Sequence, residues 1–574
     1  MNKLFRTILS IILLLNSVAC DKNDVFSDES GDPLLLSRSG IIVSSAGRSV
    51  NLGITSQTAD WTITGATDWC SVSPTAGPAG TSIVEITISS SILSERRSTT
   101  LTVTAGNNVK TVNIIQKSID EPGDDPEENP DADANRWIYS TLGEWYLWND
   151  EILAKTPFYN QGYESFFNNL LISLAGNSLD GRYNEEGDRY LFSKISRTAL
   201  TRASQIETTY GFGVGFVWTS YAQTQMVGRI TYVQKGSPAD RAGLKRGTWI
   251  HKIAGQDITE DNYLQLLSTA TGTTSFSTCR IAYTNGTIQI IPLDKDYTLT
   301  AEAIGNNPIV QDTVLMRGGK KVGYLAYNSF SRGYNDYDAS SVEYETELRN
   351  VFSTFRNEGV EEFVLDLRYN PGGLVVMSQL LGSLICPQSA FGETFALLTY
   401  NDDKQDANRT LPFLESEAAI NIDMDHIYII TSTQTASASE LLINGLRGIG
   451  VQVTLVGGQT VGKNVGSDHY TSTFGDYVYA MDPITFLCSN AAGSSSYSAG
   501  FYPNYTVNEW EEYGTWYGLG DQNEIMLQTV LELIDGTALP LQVPNRTTPT
   551  APLLAPFSSS DLLLGGNIIL PNEK

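Results

Sequence analysis

Between residues 318 and 536, short apolar runs alternate with stretches of helical periodicity. The runs are Val322 to Tyr327, Phe363 to Leu367, Ile427 to Thr431 and Val453 to Val456. Between the first two, Tyr344, Leu348, Val351, Phe352 and Phe355 fall on one helical face. Strands that alternate with helices have to be joined by crossovers, which predicts a largely parallel sheet buried on both sides. With 574 residues there is room for about three to five domains, so this α/β core is one of several.

The chemistry-bearing residues sit at the ends of these runs. Thr435-Ala436-Ser437-Ala438-Ser439-Glu440 follows the third run and opens a helix-like stretch that ends near Arg447. Lys463, in Gly462-Lys463-Asn464, lies 26 residues after Ser437. A serine at a strand-to-helix turn has an exposed hydroxyl next to free N–H groups, and a lysine on the next loop is the base a Ser/Lys hydrolase needs. The chain has only three histidines, which leaves few candidates for a Ser-His-Asp site. The second run ends in Asp366-Leu367-Arg368-Tyr369-Asn370-Pro371-Gly372-Gly373. Its glycine pair permits close backbone approach, so the amides of Gly372, Gly373 and Ala438 are candidates for an oxyanion hole. Asn-Pro-Gly-Gly is also a good turn in its own right.

The N-terminus has the pattern of an export signal. Lys3 and Arg6 precede an apolar stretch from Thr7 to Leu15, too short to span a bilayer. Ser17-Val18-Ala19-Cys20 resembles a bacterial lipobox with Ser17 where leucine is usual, which makes residues 1–20 a lipoprotein-type signal and Cys20 the lipidation site. The other cysteines, Cys70, Cys279, Cys386 and Cys488, are scattered singly and read as buried free thiols. A net charge of −27 argues against a nucleic-acid partner.

Residues 32–118 read as a β-sandwich: Leu101 to Thr104 alternates, Gly106-Asn107-Asn108 turns, and Val112 to Ile115 returns. Trp69 to Pro74 and Ile114-Ile115-Gln116 resemble the BACON module. That resemblance implies carbohydrate or mucin binding, and a spacer without a ligand fits the same residues. Residues 119–134 hold eight acidic residues, three prolines and no basic residue, and form a linker. In 135–205, Ile138, Leu142, Trp145 and Tyr146 recur at helical spacing, with Trp137 and Trp148 beside them. Residues 208–296 resemble a PDZ domain. The run Gly211-Phe212-Gly213-Val214-Gly215-Phe216 is similar to its carboxylate-binding loop, and Gly236-Ser237-Pro238-Ala239 through Gly247-Thr248-Trp249-Ile250 to the segment beyond the groove. Residues 540–574, rich in Pro, Ser and Thr, read as a loose tail.

Taken in order, Asp366 to Gly373, Thr435 to Glu440 and Gly457 to Lys463 resemble the C-terminal processing peptidases, or tail-specific proteases, over about residues 135–535. The resemblance implies a multidomain chain. It comprises an N-terminal β-sandwich, a helical segment, a PDZ-like β-rich domain and an α/β catalytic core of crossover (ClpP/crotonase-like) type over 318–536. It implies an exported serine endopeptidase with Ser437 as nucleophile and Lys463 as general base. Oxyanion donors would come from Ala438 and the Gly372-Gly373 pair, with no metal and no cofactor. Glu440 either orients the site or simply favours a helix N-terminus. The family often has glutamine four residues after the lysine; here Ser467 stands there, a hydroxyl that can still support the amine. The substrate would be a protein with a free C-terminus held in the PDZ groove. The location would be the bacterial cell envelope, lipid-anchored, periplasmic or at the cell surface. A non-catalytic peptide- or glycan-binding lipoprotein is the alternative, and an esterase using the same dyad is a third reading.

Overall fold

The computed structural model describes residues 34–36, 40–118 apart from 46, 57 and 58, and 131–537 apart from 156, 173–178, 184–188, 200–207, 220–224, 270, 271, 285, 286, 512 and 513; it also describes 554–558 and 568–570. The signal region, Cys20 and most of the acidic linker lie outside the described residues. The chain divides into two compact units. One runs to Arg136 and takes in Pro157–Leu174; the other holds Trp137–Thr156 and everything from Ala175 onward.

In the first unit, alternating sequence makes a two-sheet sandwich. Leu101, Val103 and Ala105 of Arg97–Ala105 point inward, and so do Val112 and Ile114 of Asn108–Gln116, its antiparallel partner. The five-stranded sheet they belong to and a four-stranded sheet bury a common core with Trp61 fully enclosed. The Arg97 guanidinium lies over Trp69, 4.5 Å from its ring.

The second unit begins its PDZ-like part with β1 (Phe212–Trp218) and β2 (Met226–Val233), which pair antiparallel and continue into Trp249–Ile253, Thr273–Thr284 and Thr287–Thr300. The core follows with β3 (Ile309–Arg317), β4 (Lys320–Tyr327), α1 (Glu343–Glu358), β5 (Glu362–Asp366), β6 (Gly373–Leu374) and α2 (Val375–Ile385). Then come β7 (Thr394–Tyr400), β8 (Arg409–Pro412), β9 (His426–Thr431), α3 (Ala438–Gly448), β10 (Gln452–Gly457) and β11 (Val465–Asp468). Last are β12 (Ile484–Ser489), β13 (Tyr505–Thr506), α4 (Ile525–Ile534), β14 (Leu554–Ser558) and β15 (Ile568–Leu570).

The first core sheet has the order β3-β4-β5-β9-β10-β13, with every neighbouring pair from β4 onward parallel. Its inner strands β4, β5, β9 and β10 are largely buried on both faces, as parallel strands generally are. Leu325, Leu365 and Ile429 face α1, α2 and α3, whereas Tyr324, Val364 and Ile430 face α4. All five apolar residues predicted for one helical face lie buried on α1, which Gly359 stops in the left-handed conformation at φ 68°. A second core sheet, absent from the sequence expectation, has the order β6-β15-β11-β12-β7-β8.

Two expectations change here. The segment 135–205 is not only helical: Lys194–Ala199 is a strand paired antiparallel with Tyr477–Asp482. Where 540–574 is described it is not loose. β14 adds to the edge of β1, and β15 lies between β6 and β11. Prolines and serines mask these strands because a short strand needs only two or three residues free to pair.

Candidate active site

Ser437 occupies the turn between β9 and α3 with φ 63° and ψ −115°. A non-glycine residue there carries a strain of about 1–3 kcal/mol, which the surroundings have to sustain. The hydroxyls around it supply that support. Thr435 Oγ1 donates to Leu367 O at 2.8 Å, Ser439 Oγ donates to Asn370 O at 3.1 Å, and the Ser432 hydroxyl binds Arg368 O. The Ser/Thr-rich motif is thus stitched onto the loop that ends β5. Ser437 is itself wholly buried, and its Oγ has no hydrogen-bond partner.

The loop after β5 lies against this turn. Gly372 has φ 115°, and a Cβ there would lie 2.7 Å from Ser437 Cβ; at Gly373, φ 138°, a Cβ would lie 2.6 Å from Phe330 O. Only glycine fits both positions. The Gly372 amide, expected to face an oxyanion, instead donates to Asn370 Oδ1 at 2.9 Å, because the Asn370 side chain folds back over its own loop. Ala438 is the first residue of α3, where the helix has no carbonyl for its N–H.

Glu440 joins the two motifs. Its Oε2 accepts the backbone N–H of Ser437 at 2.9 Å and of Lys463 at 2.8 Å. Its Oε1 accepts Thr460 Oγ1 at 2.6 Å and Gly462 N at 2.7 Å. Burial pushes this carboxyl up from 4.5, against the four hydrogen bonds that favour its charged form. Both roles open from sequence are met: Glu440 stands at the third position of α3 and caps its N-terminus through the Ser437 N–H, and the same carboxylate fixes the backbone of Lys463.

Lys463 is 1 % exposed, with its Nζ 5.0 Å from the Phe192 ring centroid. Burial, then the like charge of Lys194, lower its pKa from 10.5 to about 7, against Asp180, Asp482 and Cys488. Ser467, on β11, is also buried, but its hydroxyl has no hydrogen-bond partner, so it gives the amine no support in this state.

Sequence reasoning missed the ion network beneath the loop. Arg368, buried, donates to Asp366 Oδ2 at 2.7 Å, Glu509 Oε2 at 2.7 Å and Glu524 Oε1 at 2.6 Å. Arg246, from the PDZ-like part, reaches Glu509 at 2.6 Å, Glu524 at 3.2 Å and the Tyr369 hydroxyl at 3.2 Å. Burial pushes the Glu524 carboxyl up, but Arg368 and Arg246 outweigh it and hold the group at about 2. Asp366 and Arg368 stand in the motif that ends β5, but Arg246, Glu509 and Glu524 are single charges far along the chain without local pattern.

The glycines of the PDZ-like run serve packing. Gly211 donates its amide to Thr209 Oγ1 at 3.0 Å, and Phe212 to Phe216 lie inside β1 instead of in a loop. A Cβ on Gly213 would meet the Tyr232 ring at 2.3 Å, and one on Gly215 the Trp510 ring at 2.7 Å. Val214 and Phe216 are buried in the domain core. The run supplies the pairing strand, not a ring of converging amides. The histidines keep structural places: His251 is buried, His426 binds Glu362, and His469 pairs with Asp482 at 2.7 Å and stacks on Tyr337. Cys70, Cys279, Cys386 and Cys488 are buried and free. Among the described residues, no cluster of His, Cys, Asp or Glu could hold a metal, and no helix is long and apolar enough to cross a membrane.

Family models match along the chain in the order of these parts. BACON, an N-terminal binding domain, matches 59–117; the peptidase S41 N-terminal domain matches 133–193; a PDZ domain matches 229–276; and peptidase family S41 matches 321–481. The carboxyl-terminal-processing peptidase 3 of Arabidopsis thaliana chloroplasts is 29% identical over 44% of this chain and 45% of its own length. The carboxyl-terminal-processing protease of Synechocystis is 27% identical over 48% and 58%. The chain thus spans about half the length of the curated relatives it matches. The crystal structure of an S41 protease from Bacteroides fragilis superposes with a TM-score of 0.59 at 29% identity, over 70% of this chain and 98% of that one. The succession of models, and the elements that carry the Ser437, Gly372 and Lys463 motifs, make this chain a member of peptidase family S41 with a PDZ domain and a BACON domain.

Proposed function

We propose that this chain is an exported serine endopeptidase working through Ser437 and Lys463. The observation that carries the reading is the Glu440 carboxylate, which takes the backbone N–H of both residues on one oxygen. Lys463, neutral in part at pH 7, removes the Ser437 proton as Oγ attacks a peptide carbonyl. The N–H groups of Gly373 and Ala438 take the oxyanion, a contribution of about 3–4 kcal/mol per donor in a dry site. Lys463 returns the proton to the departing amine, which leaves an acyl-enzyme. Water then gives a proton to Lys463 and adds to the ester; Lys463 passes that proton to Ser437 Oγ as its bond to the carbonyl carbon breaks, which frees the new C-terminus and restores Ser437.

The substrate is a protein whose free C-terminus adds to the β1 edge of the PDZ domain, which raises its local concentration at the site. The core is assigned to the ClpP/crotonase-like crossover type, supported by the parallel pairing of β4, β5, β9 and β10 with helices between them. Lipidation at Cys20 places the enzyme in the bacterial envelope, with the sandwich as spacer or glycan-binding module. The non-catalytic alternative draws on the unpartnered Ser437 hydroxyl, but dyad hydrogen bonds often form only with substrate bound.

The test uses the chain from Asp21 onward and its Ser437→Ala variant. Each is incubated with an unstructured protein bearing a free or an amidated C-terminus, and products are read by mass spectrometry. Cleavage by the wild type alone, reduced on amidation, is expected. Cleavage retained by Ser437→Ala refutes the nucleophile, equal cleavage of both tails refutes C-terminal capture, and binding without turnover turns the reading to the lipoprotein alternative.

A further inference from the structure

The second core sheet contains a strand from beyond residues 321–481, the stretch that matches peptidase family S41. β15 lies parallel to β6 on one side, with Gly373 opposite Ile568 and Leu374 opposite Ile569. On the other side it lies parallel to β11, with Ser467 opposite Ile569 and Asp468 opposite Leu570. β6 and β11 do not pair with each other; they meet in one sheet only through β15. Take β15 away, and a slot one strand wide opens between two strand edges, each with backbone groups to offer.

The position of that slot gives it meaning. β6 begins at Gly373, proposed above as an oxyanion donor, and β11 begins two residues after Lys463. An extended chain in the slot crosses the reactive residues. Ser437 and Lys463 are 0 % and 1 % exposed in this state, which is a closed site. The same C-terminal segment fills the other peptide-binding edge as well. β14 pairs antiparallel with β1, with Gly215 opposite Ser558 and Val217 opposite Leu554, the mode in which a PDZ strand takes a peptide.

We propose that the slot between β6 and β11 is the site for an extended substrate strand, and that this chain's own residues 568–570 occupy it as an intramolecular competitor, with residues 554–558 holding the PDZ edge. This rests on the catalytic reading above for its consequence, but not for the occupancy itself. A short tether gives an effective concentration of about 1 mM. Against an intrinsic peptide affinity of about 0.1 mM, that closes the slot to competitors about tenfold.

Two arms test it on the chain from Asp21. The first needs no activity: in the Ser437→Ala background, a fluorescein-labelled peptide of residues 561–574 is titrated by anisotropy into the full chain and into a chain lacking 559–574. Binding about tenfold tighter to the shortened chain is expected; equal affinity, or no binding to the shortened chain, overturns the proposal. Ile569→Pro, which removes one N–H from the middle of β15, gives the same gain without a deletion. In the second arm, with Ser437 intact, kcat/KM for an unstructured protein rises about tenfold on either change while kcat stays constant. Cleavage at one identical rate by all forms overturns the proposal and leaves the peptidase standing. The binding difference without cleavage by any form upholds the occupancy and overturns the peptidase.

Discussion

With Lys463 as the base proposed above, the pH dependence of cleavage follows from the surroundings of its amine. A lysine in water near 10.5 is neutral in only about one molecule in 3000 at pH 7, whereas one held at about 7 is neutral in half. Burial is the larger cause and the charge of Lys194 the next, opposed by Asp180, Asp482 and Cys488. As base, Lys463 works only when neutral, so kcat/KM rises with pH along the titration of the amine. Between pH 6 and pH 8 the neutral fraction grows from about 9 % to about 91 %, a tenfold increase in rate. The assay is a quenched fluorescent peptide at concentrations well below KM, in buffers of constant ionic strength. Lys194→Met removes the like charge, lets Lys463 hold its proton more tightly, and moves the rising limb to higher pH. Glu440 is also buried and raised, but burial and its own hydrogen bonds are what chiefly set it, so a limb due to Glu440 moves less in that variant. A rate that changes less than twofold from pH 6 to pH 8, or a limb that Lys194→Met does not move, refutes the assignment of Lys463 as base.

Four further outcomes are expected. Lys463→Met raises thermal stability, most of all below pH 7. There both folded and unfolded lysines are protonated and the fold bears the full penalty of a buried charge, at most about 5 kcal/mol. The advantage shrinks from about pH 7 to 10.5, as the folded lysine sheds its proton before the unfolded one, and calorimetry at pH 6 and pH 9 shows the difference. Glu440→Gln leaves one acceptor oxygen for four donors and lowers kcat/KM at least about 30-fold, by an unmet-donor penalty of about 2 kcal/mol or more; steady-state kinetics measure it. Gly372→Ala puts a methyl 2.7 Å from Ser437 Cβ and abolishes turnover, while circular dichroism stays that of the parent. Arg246→Met strands Glu509 and Glu524 with one guanidinium and destabilises the chain by about 3–5 kcal/mol in urea unfolding; adding Glu509→Gln restores part of that.

The four inner strands β4, β5, β9 and β10 were legible because each carries a continuous apolar run and α1 shows a clear helical face. The Ser437 and Lys463 motifs were legible because their neighbours, glycines and hydroxyls, are fixed by geometry at close quarters. What the sequence hid depends on partners far along the chain. β6 is two residues long, and β14 and β15 sit in a segment whose prolines and serines suggest no strand. The engagement of the Gly372 amide depends on which way the Asn370 side chain folds, and the isolation of the Ser467 hydroxyl depends on the packing around β11. The glycine run at 211–215 suggested a loop because glycine is permissive; here two of those glycines are required by the rings of Tyr232 and Trp510.

Besides Asp366, two residues before it, Arg368 has counter-ions 141 and 156 residues further along the chain. A guanidinium enclosed with Asp366 alone lacks most of its compensation, so the loop after β5 settles fully only once Glu509 and Glu524 have been synthesised. Until then Ser437 lacks the surface that sustains its strained backbone. If Ser437 is the nucleophile proposed above, a half-made chain is inactive, and the moment of competence is set by the length of polypeptide delivered.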